Sequence, residues 1–392
     1  MPASTDSSDL ELSIVMPCLN EAETLPRCIA KAQRFLQAQG ISGEVLVADN
    51  GSEDASPSLA AELGARVVVV AERGYGNALR GGIAAARGRF VVMGDADDSY
   101  DFAALGAFIE KLRAGADLVQ GCRLPAGGGI IAPEAMPPSH RWVGNPLFSA
   151  LARRMFRVPV NDIYCGLRGF RRELIPALGL RCEGMEFATE MLIKASLRGA
   201  RIEEVPITLH RDGRTAHPPH LRTFRDGWRT LRFFLICSPR WLFVYPGLLL
   251  LALGALGFGV AMPGLTFFGA TFDAHTLLFA SLAMMVGYQA VLFGWLARTV
   301  AAREGFLPET RVLGWLREVL SLERGLIVGA LVLLGGVGLL LAAVAQWRAA
   351  GFGRLDYAHT MRWVIPGVTL TALGFQTVLA SFFVAVLGSY RR

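Results

Sequence analysis

The first chemistry this sequence offers is at Asp95-Ala96-Asp97, two carboxylates one residue apart directly after the apolar run RFVVMG. At the end of a buried strand, such a pair presents hard oxygen ligands suited to Mg²⁺ or Mn²⁺. A metal held there can bridge two phosphates and stabilise a departing diphosphate. Two more polar clusters follow apolar runs in the same way: Asn20 and Glu21 after SIVMP, and Asp49 with Asn50-Gly51-Ser52-Glu53-Asp54 at the end of EVLVAD. Taken singly, Asn20, Ser52 and Asp54 read as helix caps, and Asp95 as the cap of a helix near residue 101. Taken together on one sheet edge, the acidic groups repel unless a cation or hydrogen-bond donors stand among them.

These residues need elements to position them. SIVMP (13–17), EVLVAD (44–49), RVVVV (66–70), RFVVMGD (89–95) and DLVQG (117–121) are short, β-branched-rich runs, separated by helical stretches such as 22–39, 76–87 and 101–113. This alternation predicts a mainly parallel sheet covered on both faces, with ligands beyond the carboxyl ends of its strands. The acidic clusters above all fall at such ends.

The C-terminal part is different. Windows 241–272, 274–297, 325–347 and 363–390 contain no Asp, Glu, Lys or Arg, and each exceeds the length needed to cross a bilayer. They account for the 53% hydrophobic content and predict four membrane spans. Arginines precede the first span, five lie in 298–324, and Arg391 and Arg392 end the chain, while the first inter-span connection has none. That bias places both termini, the front domain and the middle loop in the cytoplasm, against the counter-signal of Arg348, Arg354 and Arg362. The polar N-terminus MPASTDSSDL does not read as a secretory signal.

Between the two parts, 221–237 reads as an amphipathic helix. Leu221, Phe224, Trp228, Leu231 and Leu235 form its apolar stripe, beside Arg222, Arg225, Arg229 and Arg232. Such a helix lies on a membrane surface or packs on its own domain, and its position next to a span favours the membrane. The expected domains are 1–210, a juxtamembrane segment 211–240, and a four-helix region 241–392. The net charge of +6 would admit nucleic acid, but no groove-reading or stacking motif supports it. The six cysteines lack C-x-x-C spacing and read as buried thiols rather than disulfides or a zinc site.

The motifs VMPCLNEAETL, VLVADNGSEDAS, GYGNALRGGIAAARGRFVVMGDAD, DLVQGCRL, NDIYCGLRGFRRELI and EVPITLHRDGRT occur in order over about 200 residues. Their combination resembles the family-2 glycosyltransferases of GT-A fold, and among them the polyprenyl-phosphate hexosyltransferases with a four-helix membrane region. The resemblance implies a Rossmann-like α/β catalytic domain followed by an all-α membrane domain. It implies transfer of a hexose from a UDP- or GDP-linked sugar to a polyprenyl phosphate lipid, with inversion, assisted by Mg²⁺ or Mn²⁺.

Carried over by position, Pro17, Asn20, Glu21 and Asp49 would line the base and ribose pocket, and Gly74, Gly76 and Arg80 would lie near the donor. Asp95 and Asp97 would hold the metal. The third position of that motif falls here on Ser99. Arg211 would clamp the donor diphosphate, while Arg123, Arg141 and Asn145 would hold the acceptor phosphate. Asp162 aligns with a proposed general base. It could equally orient Arg168 or the acceptor arginines, because a lipid phosphate with a second pKa near ~6 is already an anion at neutral pH. Glu190 reads as a helix-surface carboxylate.

A processive polysaccharide synthase and a non-enzymatic membrane scaffold or lipid carrier are the alternatives. The first normally carries Q-x-x-R-W before its spans, and SPRWLF lacks the glutamine. The intact D-x-D with its flanking motifs speaks against the second. The plasma (inner) membrane is the expected location, and assembly as a homo-oligomer is left open.

Overall fold

A computed structural model of the protein describes residues 10–214, 223–303 and 322–389. Arg311, Arg317, Arg391 and Arg392 of the topology argument lie outside the described residues, as do Leu221 and Arg222 of the amphipathic stripe. The chain forms two compact units, Met1–Phe234 and Leu235–Arg392.

The first unit is built on a seven-stranded sheet. Its strands are β1 (Leu12–Cys18), β2 (Gly43–Asp49), β3 (Arg66–Val69), β4 (Phe90–Met93), β5 (Leu118–Cys122), β7 (Arg168–Arg171) and β8 (Ile202–Pro206), while β6 (Ile130–Ile131) and β9 (Thr208–Leu209) pair separately. The sheet order is β3-β2-β1-β4-β7-β5-β8, with β7 antiparallel to both of its neighbours and the other pairings parallel. This is the mainly parallel, Rossmann-like GT-A sheet. The five β-branched-rich runs form β1 to β5: the interior strands are apolar because both of their faces are covered, while β3 is a half-exposed edge strand. Met16, Val47, Val92 and Val119 belong to one core cluster with Ile29, Phe35 and Phe108 from the covering helices.

The helices of this unit are α1 (Leu25–Ala38), α2 (Ser56–Glu62), α3 (Tyr75–Ala85), α4 (Gly106–Arg113), α5 (Asn145–Phe156), α6 (Leu174–Leu178), α7 (Glu186–Leu197) and α8 (Thr223–Cys237), the last continuing past the unit's boundary. Helix α4 starts five residues later than the run at 101 suggests. Asp101 instead folds its own turn, its carboxylate accepting from the amide of Ala103 at 3.0 Å. Within its own unit, α8 packs through Phe234, which is fully buried and makes edge-to-face contacts with Phe148 and Phe156 of α5. Trp228 on the same helix is 62% exposed.

The second unit holds four helices long and apolar enough to cross a membrane: Arg240–Ala261, Ala274–Arg303, Leu322–Ala349 and Tyr357–Leu387. The charge-free window 241–272 overstates the first of them. The helix ends at Ala261, the backbone turns at Gly264 with φ +69°, and Thr266–Phe267 pairs with Ala270–Thr271 as a short hairpin. The last two spans approach closely through small residues. A Cβ on Gly336 would lie 2.4 Å from the Thr371 amide, and one on Gly374 would lie 2.4 Å from the Leu333 amide. Ser281–Thr369 (2.7 Å) and Tyr288–Thr377 (2.5 Å) hydroxyl pairs link the second span to the fourth.

Candidate active site

Strand pairing puts the three acidic edges together. Cys18 of β1 is in register with Asp49 of β2, and Val15 of β1 with Met93 of β4, so Glu21, Asp49 and the Asp95–Asp97 turn all leave the same sheet edge. Asp95 accepts a 2.7 Å hydrogen bond from the Tyr75 hydroxyl. Burial, with the Asp97 charge beside it, pushes the Asp95 carboxyl up to about 6. Gly166 closes over it, since a Cβ there would lie 2.6 Å from Asp95 Oδ2. Ser99 turns inward and donates its hydroxyl to Asp97 at 2.6 Å, so it fixes that carboxylate.

The cation among these carboxylates is Arg214, which the sequence reading did not single out. Its guanidinium meets Glu21 at 2.9 Å, Asp97 at 3.2 Å and Asp212 at 2.5 Å. Burial works against its charge, but Asp212, Glu21 and Asp97 outweigh that and raise its pKa. Arg211 lies elsewhere: its side chain is 74% exposed and pairs with Glu134 at 3.2 Å. The His210 amide bonds to the Ser99 carbonyl and the Gly213 amide to the Asp97 carbonyl, both at 2.9 Å, so this segment runs along the D-x-D turn. The Asp212 and Arg214 side chains turn toward the cluster, where Arg214 meets Asp97 and Asp212 holds its guanidinium. The presence of Arg214 in HRDGRT was visible, but its burial depends on that long-range pairing.

Arg123 and Asp162 form the second charged element. The Asp162 carboxylate is fully buried and accepts Arg123 Nε at 2.7 Å, Arg123 Nη2 at 2.9 Å, the Arg123 amide at 3.1 Å and the Tyr164 amide at 3.2 Å. Both oxygens are engaged, which is the geometry of an orienting group rather than of a free base. Asp162 does not meet Arg168. That arginine, fully buried on β7, donates to the Cys165 carbonyl at 2.7 Å and to the Ala188 carbonyl. Arg123 directly follows β5, which runs in the same direction as β4, so it leaves the same sheet edge as the D-x-D turn.

The remaining residues fall around these two elements. Asp49 is buried and accepts the Gly51 and Ser52 amides at 3.2 and 3.3 Å, shaping the turn after β2. Pro17 is half-buried on β1, and Asn20, exposed at φ +59°, accepts the Glu53 amide at 2.8 Å. Gly74 (φ +135°) and Gly76 pack against the 182–183 backbone, where a Cβ on either would lie 2.5 Å from a carbonyl oxygen. Arg80 bonds to Asn77 at 2.8 Å. Arg141 stacks over Trp142 at 5.0 Å with its Nε buried and unpartnered, and Asn145 is buried one π-turn further on.

Glu190 corrects the surface reading. It is 1% exposed, pairs with Lys194 at 2.7 Å, and accepts the Arg181 and Cys182 amides at 2.9 and 2.8 Å. Because α7 is buried from Phe187 to Ala195, this carboxylate pins the loop on which Gly74 and Gly76 rest. Cys18, Cys28, Cys122 and Cys165 are buried, and all six cysteines are free thiols.

Comparison with known proteins finds relatives among the glycosyltransferases. A family model described as "Glycosyl transferase family 2" matches residues 13–179, and one described as "Glycosyltransferase family 2 C-terminal transmembrane region" matches residues 295–388. The chain is 38% identical to the low-salt glycan biosynthesis hexosyltransferase Agl6 of Haloferax volcanii, over 96% of this chain and 89% of that protein. It is 34% identical to a dolichyl-phosphate hexose transferase of the same organism, over 50% of this chain and 82% of that one. Among solved structures, glucosyl-3-phosphoglycerate synthase from Mycobacterium tuberculosis, in complex with Mn²⁺ and UDP-glucose, aligns with a TM-score of 0.46 at 23% identity. That alignment covers 58% of this chain and 78% of the other.

Proposed function

The chain belongs to glycosyltransferase family 2 as a glycosyltransferase with a C-terminal transmembrane region, and from that premise we propose that it moves a hexose from a nucleotide-diphosphate sugar to polyprenyl phosphate. The names of its relatives support a hexose and a dolichyl-phosphate type of acceptor. The observation that carries the reading is the placing of two opposite elements at one sheet edge: the half-buried Asp95–Asp97 pair after β4 and, after β5 running the same way, the Asp162-held guanidinium of Arg123.

On this reading the donor lies across the ends of β1, β2 and β4, near Pro17, Asn20, Glu21, Asp49 and Arg80. Gly74 and Gly76 shape that wall. Asp95 and Asp97 fit Mg²⁺ or Mn²⁺, because two carboxylates one residue apart at the end of β4 present hard oxygen donors on the ligand-facing sheet edge. A metal held by these carboxylates would supply charge neutralisation to the departing diphosphate. Arg123, with Arg141 and Asn145, grips the acceptor phosphate, whose ionised oxygen attacks the anomeric carbon directly and inverts it. Asp162 keeps the Arg123 fork aimed and accepts no proton. Rate enhancement then comes from positioning and from charge stabilisation at the leaving diphosphate.

The arginine bias of the loops supports an inner-membrane protein with its catalytic domain and termini on the cytoplasmic side. The test is to supply the detergent-purified protein with several UDP- and GDP-sugars, polyprenyl phosphate and Mn²⁺, then weigh the lipid product. A lipid gaining one hexose mass is expected. Sugar released only to water, or chains of several sugars on the lipid, would refute the reading.

A further inference from the structure

We propose that Arg214 is a tethered counter-cation of the donor site: it holds Asp97 while no donor is bound and yields that carboxylate when metal and donor diphosphate enter together. This rests on the donor reading above and extends it to the order in which the site fills.

The guanidinium is only 11% exposed and ties three segments together. Its Nη1 meets Glu21 after β1, its Nη2 meets Asp97 after β4, and its Nε and Nη2 both meet Asp212 beside it. Glu21, Asp97 and Asp212 meet on this one guanidinium, Asp95 stands one residue before Ala96–Asp97 on the same turn, and Arg123 is already committed to Asp162 by a bidentate pair. Arg214 is therefore the cation in contact with Asp97 among the described residues.

A divalent ion that ligates Asp95 and Asp97 must share or displace this contact. Two cations on one carboxylate repel, and the repulsion is strong in a buried, poorly screened site. Metal alone should bind weakly for that reason. A nucleoside diphosphate changes the balance, because its phosphate oxygens match the planar guanidinium fork and give Arg214 an anion in exchange. Asp212, which grips Nε and Nη2, keeps the fork presented toward the cluster. Arg211 cannot take this part from its exposed place beside Glu134.

The test measures Mn²⁺ binding to the detergent-purified full chain by electron paramagnetic resonance, with and without UDP or GDP. In the wild type, the nucleotide should tighten Mn²⁺ binding about tenfold or more, the scale of a charged hydrogen bond gained or lost. Arg214→Gln should bind Mn²⁺ about tenfold or more tightly than wild type when no nucleotide is present, and should bind the nucleotide more weakly. Arg214→Lys keeps the charge and should retain most of the nucleotide dependence. Nucleotide-free Mn²⁺ binding that is no tighter in Arg214→Gln, while the wild type binds both partners, would overturn the inference alone. Should Arg214→Gln fail to fold, Mn²⁺ affinity independent of nucleotide in the wild type and in Arg214→Lys would overturn it equally. A wild type that binds neither Mn²⁺ nor nucleotide would refute the donor reading itself, and this inference with it.

Discussion

Replacing Asp162 with Asn separates a positioning carboxylate from a general base. The side chain keeps its size but loses its charge, and one of its two oxygens becomes an NH₂ group. If the amide oxygen keeps the Arg123 amide and Nε, the new NH₂ faces Arg123 Nη2 and the Tyr164 amide, both of them donors. The guanidinium, 11% exposed, is left without its counter-ion. Breaking one side of a buried ion pair costs about 3–5 kcal/mol, so the unfolding free energy of the catalytic domain should fall by about 3 kcal/mol or more. Apparent affinity for the lipid phosphate should fall by about 1.5–3 kcal/mol, tenfold to over a hundredfold, while nucleotide affinity holds.

The assay is a double-mutant cycle of Asp162→Asn and Arg123→Ala, with lipid-phosphate kinetics and nucleotide-sugar calorimetry on each protein. If Asp162 acts through Arg123, the double variant is no worse than the poorer single one, a coupling of about 2 kcal/mol or more. Losses that add, or an Asp162→Asn protein that loses turnover at unchanged lipid affinity and stability, would refute the reasoning and restore the base.

Three further outcomes follow from the same geometry. Burial lifts the Cys18 thiol to about 11 and those of Cys28, Cys122 and Cys165 to about 12, so iodoacetamide at neutral pH should leave these four unmodified until the domain is unfolded, as read by peptide mass. Gly166→Ala would bring a Cβ to 2.6 Å from Asp95 Oδ2 and should cost about 1–3 kcal/mol of packing strain, seen as weakened Mn²⁺-dependent nucleotide binding. Burial of Glu44 raises its pKa, but bonds from Arg66, Ser13 and the Arg87 amide outweigh it and hold the carboxyl below its ordinary value of 4.5. A depressed carboxyl stabilises the fold above its unfolded pKa and loses that contribution as pH falls through the folded one. The stability gap between wild type and Glu44→Gln should therefore be full above the ordinary carboxylate value of 4.5 and shrink as the pH falls below it through the depressed folded value.

The parts legible in the sequence are those fixed by short-range patterns. Strands β1, β2 and β4 announce themselves because a strand buried on both faces draws largely on apolar side chains, the edge strand β3 by its run of valines, and the ends of β2 and β4 locate Asp49, Asp95 and Asp97. The charge-free windows mark the spans for a similar reason, although the first over-runs its helix by the length of a hairpin. What escaped depends on distant partners. Strand β7 reads RGFR, and only its place between β4 and β5 explains an arginine that is fully buried there. Glu190 with Lys194 has the spacing of an ordinary solvated pair, and its burial follows from the packing around α7. Arg214 reaches the site only because residues 210–213 pair with the D-x-D turn.

The most direct test of the central claim is transfer of hexose to polyprenyl phosphate by the wild type and Asp97→Ala, each with Mn²⁺ and with chelator, beside a check that both proteins unfold cooperatively. The account predicts a hexosyl-phosphate lipid from the wild type with Mn²⁺ and none after chelation. Asp97→Ala should retain no more than about a hundredth of the activity, roughly 3 kcal/mol of lost transition-state stabilisation. Near-normal lipid product from folded Asp97→Ala, or undiminished transfer in chelator, would contradict it.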